Sequence, residues 1–162
     1  MNGTTSAEPG FRIYWDTNVF IAAFEGRGPA SELLVSLLLS GWDAGVPPLV
    51  TSELTHSELL VKPYELGRLD LVQIYDNWTL SNRHIEVVPV FRGVLHDAAI
   101  LRSRDKALKL PDAIHVATAV GMKCTVFLSD DQRIKSQPDL QRMAPSEENV
   151  RWLLEKVSSD GR

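Results

Sequence analysis

The stretch from Lys109 to Ile134, KLPDAIHVATAVGMKCTVFLSDDQRI, constrains the fold more than any other part of the chain. Pro111 suits the first turn of a helix, where its missing N–H is one that a helix start leaves unpaired anyway. Ala113, Val116, Ala117 and Val120 recur at helical spacing, and Gly121 is placed to cap the run. Thr125 to Leu128 then reads as a short buried strand, β-branched and aromatic, closed by the polar Ser129, Asp130 and Asp131. A helix of about ten residues climbs about 15 Å, and a strand of about four or five residues comes back a similar distance. Asp112 and the Asp130/Asp131 pair are therefore returned to one edge. From these residues alone that edge is either a metal site or a solvated helix start beside an ordinary turn.

The preceding chain alternates in the same way. Arg12 to Trp15 reads as a strand that runs into Asp16, Thr17 and Asn18, with a short helix after them. Ala30 to Ser40 is a helix whose Leu33, Leu34, Leu37 and Leu38 make a broad apolar face, fit for burial or for a subunit contact. A second strand at Pro48 to Val50 leads into a helix from Glu53 to Lys62, which Pro63 is expected to end. Gly67 to Leu80 and Arg92 to Arg104 are further helices, on either side of a strand at Ile85 to Val88. This order predicts an α/β fold: a central, mainly parallel sheet of about four or five strands flanked by helices. Ligands of such sheets bind outside the carboxyl ends of the strands, which puts Asp16 at the same edge as Asp112 and Asp131.

At 162 residues and 44% hydrophobic composition, the chain suits one well-buried domain. Residues 1–10 read as a loose arm without the basic start or apolar core of a signal peptide, and 11–137 as the domain. Residues 138–162 read as an extension packed on it, polar until an amphipathic helix at Glu147 to Val157. No apolar stretch approaches the ~20 residues of a membrane span, so a cytoplasmic protein is expected. The lone Cys124 heads an apolar strand and reads as an inert buried thiol. A net charge of −4 argues against a general nucleic-acid coat, but it leaves room for a site where metal ions handle phosphate charge.

Carboxylates crowded at one edge raise each other's pKa values unless something positive lies among them. A divalent cation answers that need, and ligation by oxygen alone favours Mg²⁺ or Mn²⁺ over zinc. Such ions serve phosphodiester hydrolysis, in which the metal acidifies a water and neutralises charge on the phosphate. Asp16 and Asp112 are the leading ligands on these grounds.

Four segments, YWDTNVFIAAF, VTSELTHSELL, LPDAIHVATAV and VFLSDDQRI, stand in an order and separation that resemble a PIN-domain ribonuclease of the VapC toxin type. The likeness covers most of Tyr14 to Ile134. It implies that Asp16, Glu58, Asp112 and Asp131 are the catalytic acids, with Asp16, Asp112 and Asp131 holding Mg²⁺ or Mn²⁺. It further implies an endoribonuclease acting on RNA, usually a homodimer, held inactive by a cognate antitoxin. Ser129-Asp130-Asp131 stands where the family commonly has Thr-Asn-Asp, which keeps a hydroxyl able to position the site. Alternate strand residues face opposite ways, so only one of the two acids should face the metal, and alignment favours Asp131. The family also tends to finish with a short strand, whereas here a helix is read.

Plainer roles stand beside these. Glu58 suits an exposed position on an amphipathic helix. Thr17 and Asn18 either cap a helix or orient Asp16 or a water. His115 shares a helix face with Asp112, but a lone histidine is more often packed than ligating, and it stays outside the predicted site. Arg104, within the basic run Arg102, Arg104, Lys106 and Lys109, is a candidate for RNA phosphates, or else it complements a helix C-terminus. Gly26-Arg27-Gly28 lacks the spacing of a phosphate loop, and Asp16-Thr17-Asn18 lacks the second Asp of aspartyl-phosphate phosphatases. The remaining rival is a non-catalytic PIN-like module that binds RNA or a protein.

Overall fold

Ile13-Tyr14-Trp15 forms β1 (Ile13–Trp15), buried on both faces at the centre of a five-stranded sheet. The computed structural model describes residues 10–40 and 46–160, so the expected N-terminal arm lies outside the described residues except for Gly10. The other strands are β2 (Leu49–Ser52), β3 (Ile85–Val88), β4 (Val126–Leu128) and β5 (Gln141–Met143), in the order β3-β2-β1-β4-β5. Every pairing is parallel, with Tyr14 in register with Val50 on one side and Phe127 on the other. The chain leaves β1 towards β2 and β3, then crosses back to place β4 on the other side of β1. That reversal opens a crevice at the carboxyl ends of β1 and β4, where open parallel sheets take their ligands.

Helices cover both faces, as unbroken apolar parallel strands require. On one side Ile13, Trp15, Leu49 and Leu128 meet α1 (Thr17–Glu25), α2 (Pro29–Leu39), α4 (Leu69–Trp78) and α7 (Glu147–Asp160), chiefly through Phe20, Leu34, Leu38, Tyr75 and Leu153. On the other, Tyr14, Val50 and Phe127 meet Val116 and Ala119 of α6 (Leu110–Gly121). Behind α6 lies α5 (Arg92–Arg104), joined to it by Val94, Ala98, Ala113 and Ala117. The last helix, α3 (Glu53–Glu65), contributes Leu59 to the first of these clusters and Leu54 to the last. The result is the three-layer α/β architecture expected from the alternation of elements.

Four local outcomes differ from, or complete, that expectation. Pro63 lies inside α3 and does not end it: only one backbone bond is forfeited so near the C-terminus, and the ring is buried. The helix stops a turn later, where Gly67 at φ 64° lets Arg68 N–H reach the Pro63 carbonyl at 2.8 Å. In α6 the equivalent left-handed residue is Lys123 (φ 56°), with Cys124 N–H on the Ala119 carbonyl at 3.0 Å, and Gly121 is merely the last helical residue. On the leucine face of α2, Leu34, Leu37 and Leu38 are buried under α1 and α7, while Leu39 is exposed. Finally, a short strand and a helix both follow Pro138. β5 is a half-exposed edge strand of three residues with Met143 as its one apolar side chain, so it carried no apolar alternation to read.

Candidate active site

Asp16 sits where β1 ends and α1 begins. Its backbone N–H extends the ladder onto the Leu128 carbonyl at 3.1 Å, and its side chain caps α1. The carboxylate is 6% exposed and takes three donors: Thr17 N–H on Oδ1 at 2.8 Å, and Ser129 Oγ at 2.6 Å and Asn18 Nδ2 at 3.2 Å on Oδ2. Hydrogen bonds of this kind satisfy a buried carboxylate and fix its orientation. Ser129 Oγ also accepts from Asn18 Nδ2 and from Asp131 N–H, both at 3.1 Å, so its own hydrogen is directed at Asp16. Asn18 Oδ1 accepts the Asp130 N–H at 3.0 Å. Thr17, Asn18 and Ser129 thus staple the carboxyl ends of β1 and β4 together around one negative charge.

Asp112 lies in the first turn of α6, where the helix dipole favours an anion. It is half-buried, and its carboxyl is nonetheless pushed above the usual range, first by burial and then by the charges of Asp16 and Asp131. Asp131 is held below the usual range, chiefly by Arg133, whose Nε and Nη2 fork its two oxygens at 2.9 and 2.8 Å. Its neighbour Asp130 is exposed and meets the site only through its backbone. Asp112 therefore feels the charges of the other two aspartates across the crevice.

Glu58 extends from the middle of α3, its side chain about one-third exposed. Its Oε1 accepts from Thr17 Oγ1 at 2.8 Å and from His115 Nε2 at 2.5 Å. Burial pushes this carboxyl up, but its contact with His115, and after it the Thr17 hydroxyl, outweigh burial and hold it below the usual range. His115 is itself fully enclosed, with Nδ1 2.6 Å from the Tyr14 hydroxyl.

Tyr14, His115 and Arg133 are the site residues that sequence reasoning missed. The signal for the histidine was the helix face it shares with Asp112, which spacing alone does not distinguish from a packed side chain. Nothing in spacing marked Tyr14 or Arg133. Arg104 is exposed at the end of α5, and no hydrogen bond or ion pair joins it to the acids. The cations beside Asp112 are instead Lys109, Arg133 and Lys135, which line a hollow of about 130 Å³.

Among the described residues, no three His, Cys, Asp or Glu side chains are gathered closely enough to hold a cation as they stand. The donor chemistry still fits a hard divalent ion. It consists of carboxylate oxygens, and the carboxyl of Asp112 is raised first by burial and then by the charges of Asp16 and Asp131, which a cation among them would offset.

The fold has counterparts in known structures. A toxin–antitoxin complex from Klebsiella pneumoniae contains a chain 21% identical to this one, with a TM-score of 0.60, covering 83% of this chain and 98% of that one. The VapBC complex of Salmonella typhimurium bound to DNA matches at 14% identity and TM-score 0.62, over 84% and 99% of the two chains. VapC20 of Mycobacterium tuberculosis, described as a Sarcin-Ricin loop cleaving toxin, matches at 15% and 0.58, over 74% and 90%. At these identities the likeness is one of fold. No curated protein is significantly similar in sequence. The model of the PIN domain family, however, matches residues 13–140, nearly the whole of the sheet and the site it carries, and the chain belongs to that family.

Proposed function

We propose that the chain is a Mg²⁺- or Mn²⁺-dependent endoribonuclease and the toxin of a toxin–antitoxin pair, acting in the cytoplasm. The observation that carries this reading is the placement of Asp112 at the crevice by the carboxyl ends of β1 and β4, where burial and then the charges of Asp16 and Asp131 push its carboxyl up. Its company supports it, since the structural neighbours include toxin–antitoxin complexes and an RNA-cleaving toxin. Asp16, Asp112 and Asp131 are the residues to hold the ion, and Glu58 completes the set directly or through water. When bound, the ion supplies acidification of a water and neutralisation of charge on the scissile phosphate.

The chain's own contribution is orientation. Ser129, Asn18 and the Thr17 amide hold the Asp16 carboxylate in place, so no rearrangement is needed when charge develops on the phosphate. Lys109, Arg133 and Lys135 offer positive charge next to Asp112 for the flanking phosphates of single-stranded or loop RNA. Arg104, farther along the same side, lines an adjoining groove with Lys135 and serves the strand beyond. A cognate antitoxin would cover this groove and place a cation among the acids. A homodimer is the assembly that the family likeness suggests.

The test is incubation of purified, antitoxin-free protein with RNA, in chelator and then with Mg²⁺ or Mn²⁺ restored. Cleavage should appear only with metal and be absent from Asp16→Asn. Retention of RNA without products under both conditions would instead identify a binding module.

A further inference from the structure

Tyr14 and His115 are 0% and 1% exposed, on β1 and α6, where apolar side chains would fill the same space without the cost of enclosing polar atoms. Their polar atoms are matched in series. The Tyr14 ring stacks on Phe127 at 5.0 Å, which aims its hydroxyl at His115 Nδ1, 2.6 Å away. With Nδ1 accepting from the phenol, the hydrogen-bond network assigns the imidazole proton to Nε2. Nε2 then donates to Glu58 Oε1 at 2.5 Å, and Thr17 Oγ1 donates to the same oxygen at 2.8 Å. Oε1 is thereby filled. Among the described residues no donor reaches Oε2. His115 Nε2 also lies 3.8 Å from Asp16 Oδ1, so the pinned glutamate is beside the central acid of the site. A glutamate on a helix has three side-chain torsions to restrain, and two donors on one oxygen restrain them.

We propose that Tyr14 and His115 form a buried strut that holds one oxygen of Glu58 and presents the other to the Asp16 edge, which makes His115 a positioning residue of the active site. The effect on rate rests on the nuclease reading, whereas the geometry of the strut does not. A histidine that only filled the core would be replaceable by any residue of similar bulk, and its loss would not depend on Glu58.

Two measurements separate these readings. In RNA cleavage, His115→Leu should lower kcat about 10–100-fold with little change in KM, as loss of a group that orients a ligating carboxylate does. His115→Gln, whose amide nitrogen can stand where Nε2 stood, should recover most of the rate. Combined with Glu58→Gln, His115→Leu should add nothing. Wild-type kcat in His115→Leu, effects that multiply in the double variant, or a His115→Gln no better than His115→Leu would overturn the proposal. Independently of activity, ¹⁵N long-range NMR of the imidazole should show an Nε2–H tautomer whose resonances move in Glu58→Gln. An Nδ1–H tautomer, or resonances indifferent to Glu58→Gln, would overturn it too. Should the wild type cleave no RNA with either metal, the nuclease reading fails and the NMR result alone decides the strut.

Discussion

The two ends of the sheet treat charge in opposite ways. At the amino end, Arg12 is 4% exposed and fully matched: Nη2 meets Glu86 at 2.5 Å, while Nε and Nη1 donate to the Pro47 and Met122 carbonyls, each at 3.3 Å. One cation ties together the starts of β1, β2, β3 and β4. At the carboxyl end, the charges of Asp16 and Asp131 add to burial in raising Asp112, and Arg133, which forks Asp131, is exposed. A sheet that needed charge only for cohesion would carry the amino-end solution at both ends. The contrast marks the carboxyl end as built for something that arrives from outside.

Removing a charge from each end should break different properties. The largest effect belongs to Asp16→Asn, which should reduce RNA cleavage by about 10³-fold or more while leaving the circular dichroism spectrum unchanged. Arg12→Met should do the reverse: a loss of about 2 kcal/mol in urea unfolding, tempered by the partial solvent contact of Glu86, with kcat per folded molecule unaltered. Asp112→Asn should abolish cleavage yet raise the melting temperature at neutral pH. Burial, then Asp16 and Asp131, raise this carboxyl, so the folded chain holds its proton more tightly than the unfolded chain. Its contribution to stability therefore grows as pH falls through the raised value and is absent above it. The variant, with no proton to lose, should lack that dependence when melting is followed against pH.

The smallest effect is expected of Arg133→Ala. Asp131 is depressed chiefly by Arg133, so their pair contributes above the ordinary carboxyl range and fades as pH falls through the depressed value. An exposed pair of this kind is screened by solvent and contributes little, so melting curves at neutral pH should shift little. A large loss of stability in this variant would mean that the carboxyl end is held together by charge after all, and the contrast between the ends would fail.

The helix-strand order was legible because apolar periodicity reports burial directly: Ile13 to Trp15 and Val126 to Leu128 are buried throughout. β5 was not legible, since an edge strand with exposed Gln141 carries no such pattern. The acidic edge followed from element lengths around Asp112 and Ser129 to Asp131. Glu58 was different. Nothing in α3 distinguishes it from a solvated position, and only family likeness and then its contacts with Thr17 and His115 bring it to the site. His115 and Tyr14 were missed for the reason that makes them informative. They are 101 residues apart, and a hydrogen bond between buried side chains on separate elements leaves no trace in local spacing.

Calorimetric titration with Mn²⁺, in the absence of RNA, reaches the central claim without depending on substrate. The wild type should bind Mn²⁺ saturably, with a rise in melting temperature as expected of a ligand that binds only the folded state. Asp16→Asn and Asp112→Asn should lose that binding, and Arg12→Met should keep it. Saturable binding unchanged in both aspartate variants, or no binding by the wild type, would contradict the account.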